Sequence, residues 1–258
     1  MKPLQVIGVV VFSLYSFLSI SLGAQDSNGS LPLPFKVGER LSFKISWGLF
    51  SVGEAVMEVH DMEDVNGTKC HKISLDVSTN KFADAFYKVR TRAVSYVEEG
   101  FGRSILYKKS QKEGKTNREI VLRFDYQKNL AHYSNHGVAG EPVKIPCRVF
   151  DPLAISYLFR MSELKTGGLL KLPTCDGKRF REIEVLVGEK RKMKVPAGSY
   201  ETFEVSPALK NLRGVFSKSP DGFLHIWYTA DKLRMPIRMK SKVAVGSFVA
   251  KLVDSQFP

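Results

Sequence analysis

The chain has 258 residues, enough for one large β domain or two small ones. Its 39 Lys and Arg outnumber 26 Asp and Glu, a formal net charge of +13. That surplus suits an anionic partner such as acidic lipid headgroups, lipopolysaccharide or an acidic glycan, unless it serves only to keep the protein soluble. Cys70, Cys147 and Cys175 include no Cys-x-x-Cys pair, which argues against a thiol oxidoreductase or a structural zinc site.

The first 24 residues read as a signal peptide. Lys2 precedes an uncharged apolar run from Leu4 to Leu22, and Ser21-Leu22-Gly23-Ala24 offers small residues for cleavage. The alternative is an N-terminal membrane anchor, because the run approaches the ~20 residues of a spanning helix. Residues 25–34 form a polar, disordered start, and 35–258 a single β-rich domain, periplasmic or extracellular after cleavage. Export makes nucleic acid the least fitting of the anionic partners.

Period-two alternation dominates the rest. Leu41, Phe43, Ile45 and Trp47 alternate with Arg40, Ser42, Lys44 and Ser46, one apolar and one wet face. A second strand carries Gly53, Ala55, Met57 and Val59. Asn66-Gly67 marks a tight turn into a third with Ile73, Leu75 and Val77. Further strands are predicted at 88–97, 105–109, 119–126, 180–187, 189–195, 200–205, 223–229, 235–245 and 248–253, punctuated by Gly and Pro as in a sandwich or barrel.

One segment breaks the period. In 149–168, VFDPLAISYLFRMSELKTGG, Asp151 is a helix cap, Pro152 suits the first turn and Gly167-Gly168 the stop. The helix, about 151–164, is apolar on nearly every side and so is expected to be buried. A shorter helix is predicted over 82–88. The fold class is therefore mainly β, a curved antiparallel sheet or half-barrel of about 10–12 strands with one helix against its concave face. Small inward residues at Gly53, Ala55, Thr91 and Ala93 leave room that the helix or a ligand must fill.

Five pieces in order, VGERLSFKISWGLFSVGEAVMEV, FADAFYKVRTR, DPLAISYLFRM, VPAGSYETFEVSP and IWYTADKLRMPIRMKSKVAVGSFVAKL, resemble a bacterial exported family catalogued as domain of unknown function number 3108. The resemblance runs from about Phe35 to Leu252. It implies an exported, mainly antiparallel β domain with one notable helix, and it brings no catalytic residues. The architecture is also similar to curved-sheet lipid carriers such as lipocalins, an analogy of fold alone.

No catalytic residue is assigned. His132 and His136 lie in turn-like sequence, without a His-Glu-x-x-His motif, so no metal site is expected. Nucleophile-elbow, phosphate-loop and dinucleotide motifs are missing, so no cofactor is expected. The candidate ligand-binding residues are Trp47, Tyr157, Arg160, Trp227, Arg234, Arg238, Lys240 and Lys242. The last four cations alternate with Met235, Ile237, Met239 and Val243 along one strand, while Lys190, Lys192 and Lys194 make a second ladder. Arg160, on the apolar helix, needs a buried acceptor, and Asp151 and Asp231 are the candidates. Asp231 itself reads as a turn-former. Cys147 and Cys175 flank the helix and are the preferred disulfide pair.

These features point to a non-catalytic cell-envelope module for an apolar or anionic amphipathic, lipid-like ligand. The alternatives are an assembly factor contacting an envelope protein partner and an enzyme acting on an envelope polymer.

Overall fold

The computed structural model describes residues 33–208, 222–243 and 246–258. The predicted signal peptide and most of the predicted polar start lie outside these residues. The strands are β1 (Arg40–Trp47), β2 (Phe50–Val65), β3 (Thr68–Thr79), β4 (Val89–Glu98), β5 (Ser104–Glu113), β6 (Thr116–Asp125), β7 (Leu130–Asn135), β8 (Val138–Ala139), β9 (Val143–Lys144), β10 (Leu169–Cys175), β11 (Phe180–Val195), β12 (Gly198–Pro207), β13 (Phe223–Thr229), β14 (Pro236–Val243) and β15 (Gly246–Gln256). Among the described residues two α-helices accompany them, α1 (Lys81–Asp84) and α2 (Ala154–Met161), with a short 3-10 turn at Glu99–Phe101.

All fifteen strands join one sheet in the order β10-β11-β12-β13-β14-β15-β1-β2-β3-β4-β5-β6-β7-β8, with β9 beside β7. The order is a simple antiparallel meander opened at one place. The last strand pairs with the first along Arg40↔Gln256 to Trp47↔Phe248, and the chain leaves the sheet between β9 and β10. Helix α2 lies in that interval. Near it Phe150 forms a parallel bridge to Thr174.

The fold class is as predicted, with more strands than 10–12. Strands β7 to β10 carry weak alternation, and the HYSN stretch around His132 is strand β7 rather than a turn. The two runs predicted at 180–187 and 189–195 are one strand, β11, with a register shift between Val187 and Lys190. The long helix is shorter than predicted because its first turn opens around Asp151 and Ser162 is already extended.

Local chemistry accounts for the helix position. Asp151 Oδ1 accepts from the backbone N–H of Leu153 at 2.9 Å and Ala154 at 3.0 Å. Its Oδ2 accepts from Ser104 at 2.6 Å and also from Ser95. This one carboxyl caps α2 and anchors it to β4 and β5. Burial pushes its pKa above the usual carboxylate range, opposed by those hydrogen bonds.

At the other end Arg160 is wholly buried. It does not pair with Asp151 or Asp231, the predicted partners, because Asp151 is occupied as the cap and Asp231 as a turn acceptor for Leu233 and Arg234. Its partner is Glu39, with Nη1 to Oε1 at 2.5 Å and Nη2 to Oε2 at 2.8 Å. Arg160 also donates to the carbonyls of Leu233 at 3.1 Å and Pro34 at 3.0 Å, so the fork is well satisfied.

Among the described residues the interior around α2 is closely packed. Tyr157 packs edge-on to Phe35 at 4.9 Å and Phe159 against Tyr228 at 4.5 Å. Beside α2 a cavity of about 40 Å³ remains, walled by apolar side chains that include Phe43, Ala55, Met57, Ile226 and Met239. It is too small for a lipid, whose ordinary pocket is ~300–1,000 Å³. The small inward residues have other causes. A Cβ on Gly53 would meet the Ser78 carbonyl oxygen at 2.3 Å, so glycine there permits close approach of β3. Thr91 donates to the buried carboxylate of Glu113 at 2.7 Å.

Arg160→Met should lower stability by about 3–5 kcal/mol in urea unfolding, because it leaves Glu39 buried and unpaired. The double variant Glu39→Leu/Arg160→Met should recover at least half of that loss. Asp151→Ala should cost about 2–4 kcal/mol through the lost cap and two stranded serines. Asp151→Asn should cost less than half as much, since a neutral isostere keeps the acceptor in a place where burial already disfavours charge.

Candidate functional site

The eight predicted binding residues separate into an interior group, an outer-wall group and a rim residue. Tyr157, Arg160 and Arg234 hold the fold. Tyr157 and Arg160 are buried on α2, and Arg234 Nη1 donates to the Arg160 carbonyl at 2.9 Å, closing the C-terminal end of the helix. Trp47 stands at the end of β1, stacked on Phe248 at 6.3 Å. Trp227, Arg238, Lys240 and Lys242 share the outer wall of β13 and β14.

Strand alternation explains the outer grouping. Ile226 and Met239 point to the interior cavity, so Trp227, Arg238 and Lys240 face outward. Across the pairing, Trp227 lies opposite Arg238 and His225 opposite Lys240. Phe223, His225 and Trp227 form a ladder of rings, with neighbouring centroids 4.9 and 6.0 Å apart. The Arg238 guanidinium covers the Trp227 ring at 4.9 Å, and Lys240 lies over Phe223 at 5.3 Å.

The register adds two cations that belong to the same group. Arg238 sits opposite Lys251, and Lys251 sits opposite Lys44. Three positive side chains thus occupy one row across β14, β15 and β1, and Lys240 and Lys242 extend it along β14. Like charges directly opposite destabilise a sheet. Among the described residues none of these five cations makes an ion pair with a carboxylate. The row is bounded by Glu204, which lies opposite Trp227, and by Glu54, opposite Lys44. Glu204 is engaged elsewhere, by Arg191 at 2.5 Å and His225 at 2.6 Å. Beneath the cations, the Trp227 indole N–H and the Arg238 Nε are both buried donors without a hydrogen-bond partner among the described residues. Clustered positive charge over unmet donors is a geometry for holding an anion.

Lys44 and Lys251 escaped the sequence reading because they lie about two hundred residues apart and meet only through the β1–β15 pairing. Their one available signal was a Lys at the wet phase of each strand. The second predicted ladder, on β11, does not join this group, since β12 and β13 separate it from β14.

Other clusters are self-contained. A groove of about 350 Å³ on the outer wall of β2 to β5 is lined by Glu54, Asp76, Ser78, Arg90, Arg92 and Lys112. Arg92 pairs with Asp76 at 3.0 Å and Arg90 with Asp84 at 2.7 Å, so it is an ion-pair surface. No group of three or more metal-ligating side chains occurs among the described residues, and His136 bonds the Asn117 carbonyl. No helix among them is long and apolar enough to cross a membrane.

The predicted disulfide is not formed. Cys175 is buried, where its sulfur accepts from the Gly177 N–H, whereas Cys147 is exposed, and all three cysteines are free thiols. Burial pushes the Cys175 thiol up to about 12, and burial with the nearby Glu98 charge pushes Cys70 up to about 11.

Residues 42–253 match the family described as Protein of unknown function (DUF3108). No curated protein matches the sequence. Among solved structures, a beta-barrel-like protein of domain of unknown function DUF1849 from Brucella abortus aligns with a TM-score of 0.54 at 9% identity, over 87% of this chain and 99% of that one. A candidate exported protein with a YmcC-like fold from Bacteroides fragilis aligns at a TM-score of 0.39 and 9% identity, over 87% of this chain and 98% of that one. A candidate lipoprotein from Parabacteroides distasonis aligns at 0.31 and 9% identity, with the same two coverages. The Brucella likeness is one of fold.

A thiol reagent applied to the native protein at pH 8 should titrate Cys147 alone, and denaturant should release Cys70 and Cys175. Two equivalents in the native state, or one in total after denaturation, would contradict this arrangement.

Proposed function

We propose a function on the premise that the chain belongs to the family described as Protein of unknown function (DUF3108). The protein is an exported, non-catalytic module of the cell envelope. It binds an anionic amphipathic, lipid-like partner on the outer wall of its sheet, and its interior carries nothing. The signal-like leader supports export. The observation that carries the binding reading is the row Arg238, Lys251 and Lys44, three cations in adjacent register positions with no ion pair to a carboxylate among the described residues. Such a row lowers the stability of the empty protein and is relieved when an anion is bound. Trp227 and Phe223 beneath the cations supply apolar surface beside the charge. The partner recognised is a phosphate headgroup with a short stretch of its apolar stem.

A second reading is an assembly factor that acts through protein contacts. The filled interior favours it, because a packed core leaves only the surface for work.

Titration with dihexanoyl-phosphatidylglycerol below its micelle concentration should change Trp227 fluorescence, whereas the phosphatidylcholine analogue should not. The triple variant Lys44→Gln/Arg238→Gln/Lys251→Gln should weaken binding about tenfold or more, and salt should do the same in the parent. Equal response to both lipids would sink the proposal. Silence in the titration, together with a single protein trapped by a photocrosslinker at position 251, would install the second reading instead.

A further inference from the structure

Successive antiparallel strands place the 48–49, 80–88 and 114–115 connections at one rim of the sheet. That rim is apolar where a rim is ordinarily polar. Gly48 and Leu49 form the two-residue turn between β1 and β2, and Leu49 is 100% exposed. Phe50 is 59%, Phe82 50% and Phe86 71% exposed. The three rings make one continuous group, Phe50 to Phe82 at 5.7 Å and Phe82 to Phe86 at 5.6 Å. Clustered apolar exposure of this kind marks an interaction site.

The platform is fixed rather than loose. Asn80 caps α1 by accepting from the Ala83 N–H at 3.0 Å, and its side chain donates to the Ser51 carbonyl at 2.7 Å, tying α1 to β2. Asp84 is held by Thr79 at 2.5 Å and by Arg90 at 2.7 Å. Folding alone does not require aromatic side chains at 82 and 86, since both point to water.

We propose that this rim inserts into the interface of an anionic phospholipid bilayer. Charge selects the occupant. Lys81, Lys88 and Lys115 are exposed on the same rim, and none of them pairs with a carboxylate among the described residues. Around the three connections named, the carboxylates of the described residues are withdrawn, Asp84 into its ion pair with Arg90 and Glu113 into the interior. A second copy of this chain would bring the same cations face to face. A bilayer surface offers headgroup phosphates to the lysines and acyl boundary to Leu49 and the three rings. Trp47, 44% exposed one residue before the turn, takes the headgroup level that indoles favour. This surface is separate from the outer-wall row, and it stands whether or not that row binds a lipid headgroup.

The test uses vesicles of phosphatidylcholine with about 30 mol% phosphatidylglycerol, and the exported protein. The parent should partition onto them and not onto pure phosphatidylcholine, and brominated acyl chains should quench a signal that Trp47→Phe removes. Leu49→Ser/Phe50→Ser/Phe86→Ser should cut partitioning at least tenfold while leaving the melting temperature unchanged, as exposed positions allow. The same variant should bind monomeric dihexanoyl-phosphatidylglycerol as the parent does, which separates this surface from the outer-wall row. Unchanged partitioning in the triple variant, quenching that persists in Trp47→Phe, or a parent dimer that the triple variant dissociates would each overturn the proposal.

Discussion

A guanidinium without solvent governs this fold. Arg160 is wholly buried, so every donor it carries must find a protein acceptor. Glu39 supplies the charge, Pro34 and Leu233 supply carbonyls, and these come from the segment leading into β1 and from the β13–β14 connection. One side chain thus joins the helix to two places far apart in sequence. The Arg234 guanidinium returns the link by bonding the Arg160 carbonyl. With Asp151 fixed to β4 and β5 at the other end, α2 has little freedom to shift or roll. A buried ion pair of this kind adds little net stability, but it specifies one position for the helix, and that position fills the concavity.

Filling the concavity moves function outward. Carriers that share a curved sheet keep an interior large enough for a ligand, and here the space left beside the helix is about 40 Å³. The wall is then the place to look for departures from what the sheet itself needs. Some of its charges are paired across strands, as Arg40 with Glu58 and Lys72 with Glu63. The row through Arg238, Lys251 and Lys44 places like charges opposite one another with no such ion pair among the described residues. Each like-charge neighbour costs roughly 0.2–1 kcal/mol, and a stability argument alone would replace one of the three.

Much of this architecture was legible in the sequence, for a physical reason. Side chains in a half-buried strand alternate by necessity, so Leu41, Phe43 and Ile45 announce both the strand and its inner face. Helix α2 was equally plain, since a run apolar all round with Asp151 ahead of it has few other fates. Pairing was not legible. Which lysines become neighbours depends on the register between the first and last strands, and nothing local encodes it. The same limit misassigned Arg160: Asp151 and Asp231 were near in sequence or in motif, whereas Glu39 is 121 residues away. Cys147 and Cys175 flank the helix in sequence, yet one is exposed and the other buried. Strands β7 to β9 were missed because they are short and half exposed, with little burial to impose a period.

The two hairpin turns next to β2 make the last comparison, because they are the same device at opposite rims. At one end Asn66 and Gly67 both take positive φ, 53° and 81°, the residues and geometry that a tight two-residue turn prefers. Polar side chains there cost nothing and cover nothing. At the other end Gly48, at φ 56°, meets the conformational demand by itself and leaves the next position unconstrained. That free position holds Leu49, fully exposed, with Phe50 following it and Phe82 stacked alongside. Turn chemistry therefore explains the first hairpin completely and only half of the second. Sequences ordinarily agree with their folds at every level, and positions that depart from local rules without a packing gain concentrate where a protein meets something else. The apolar turn and the unpaired cationic row are two such departures, on adjoining strands of one sheet.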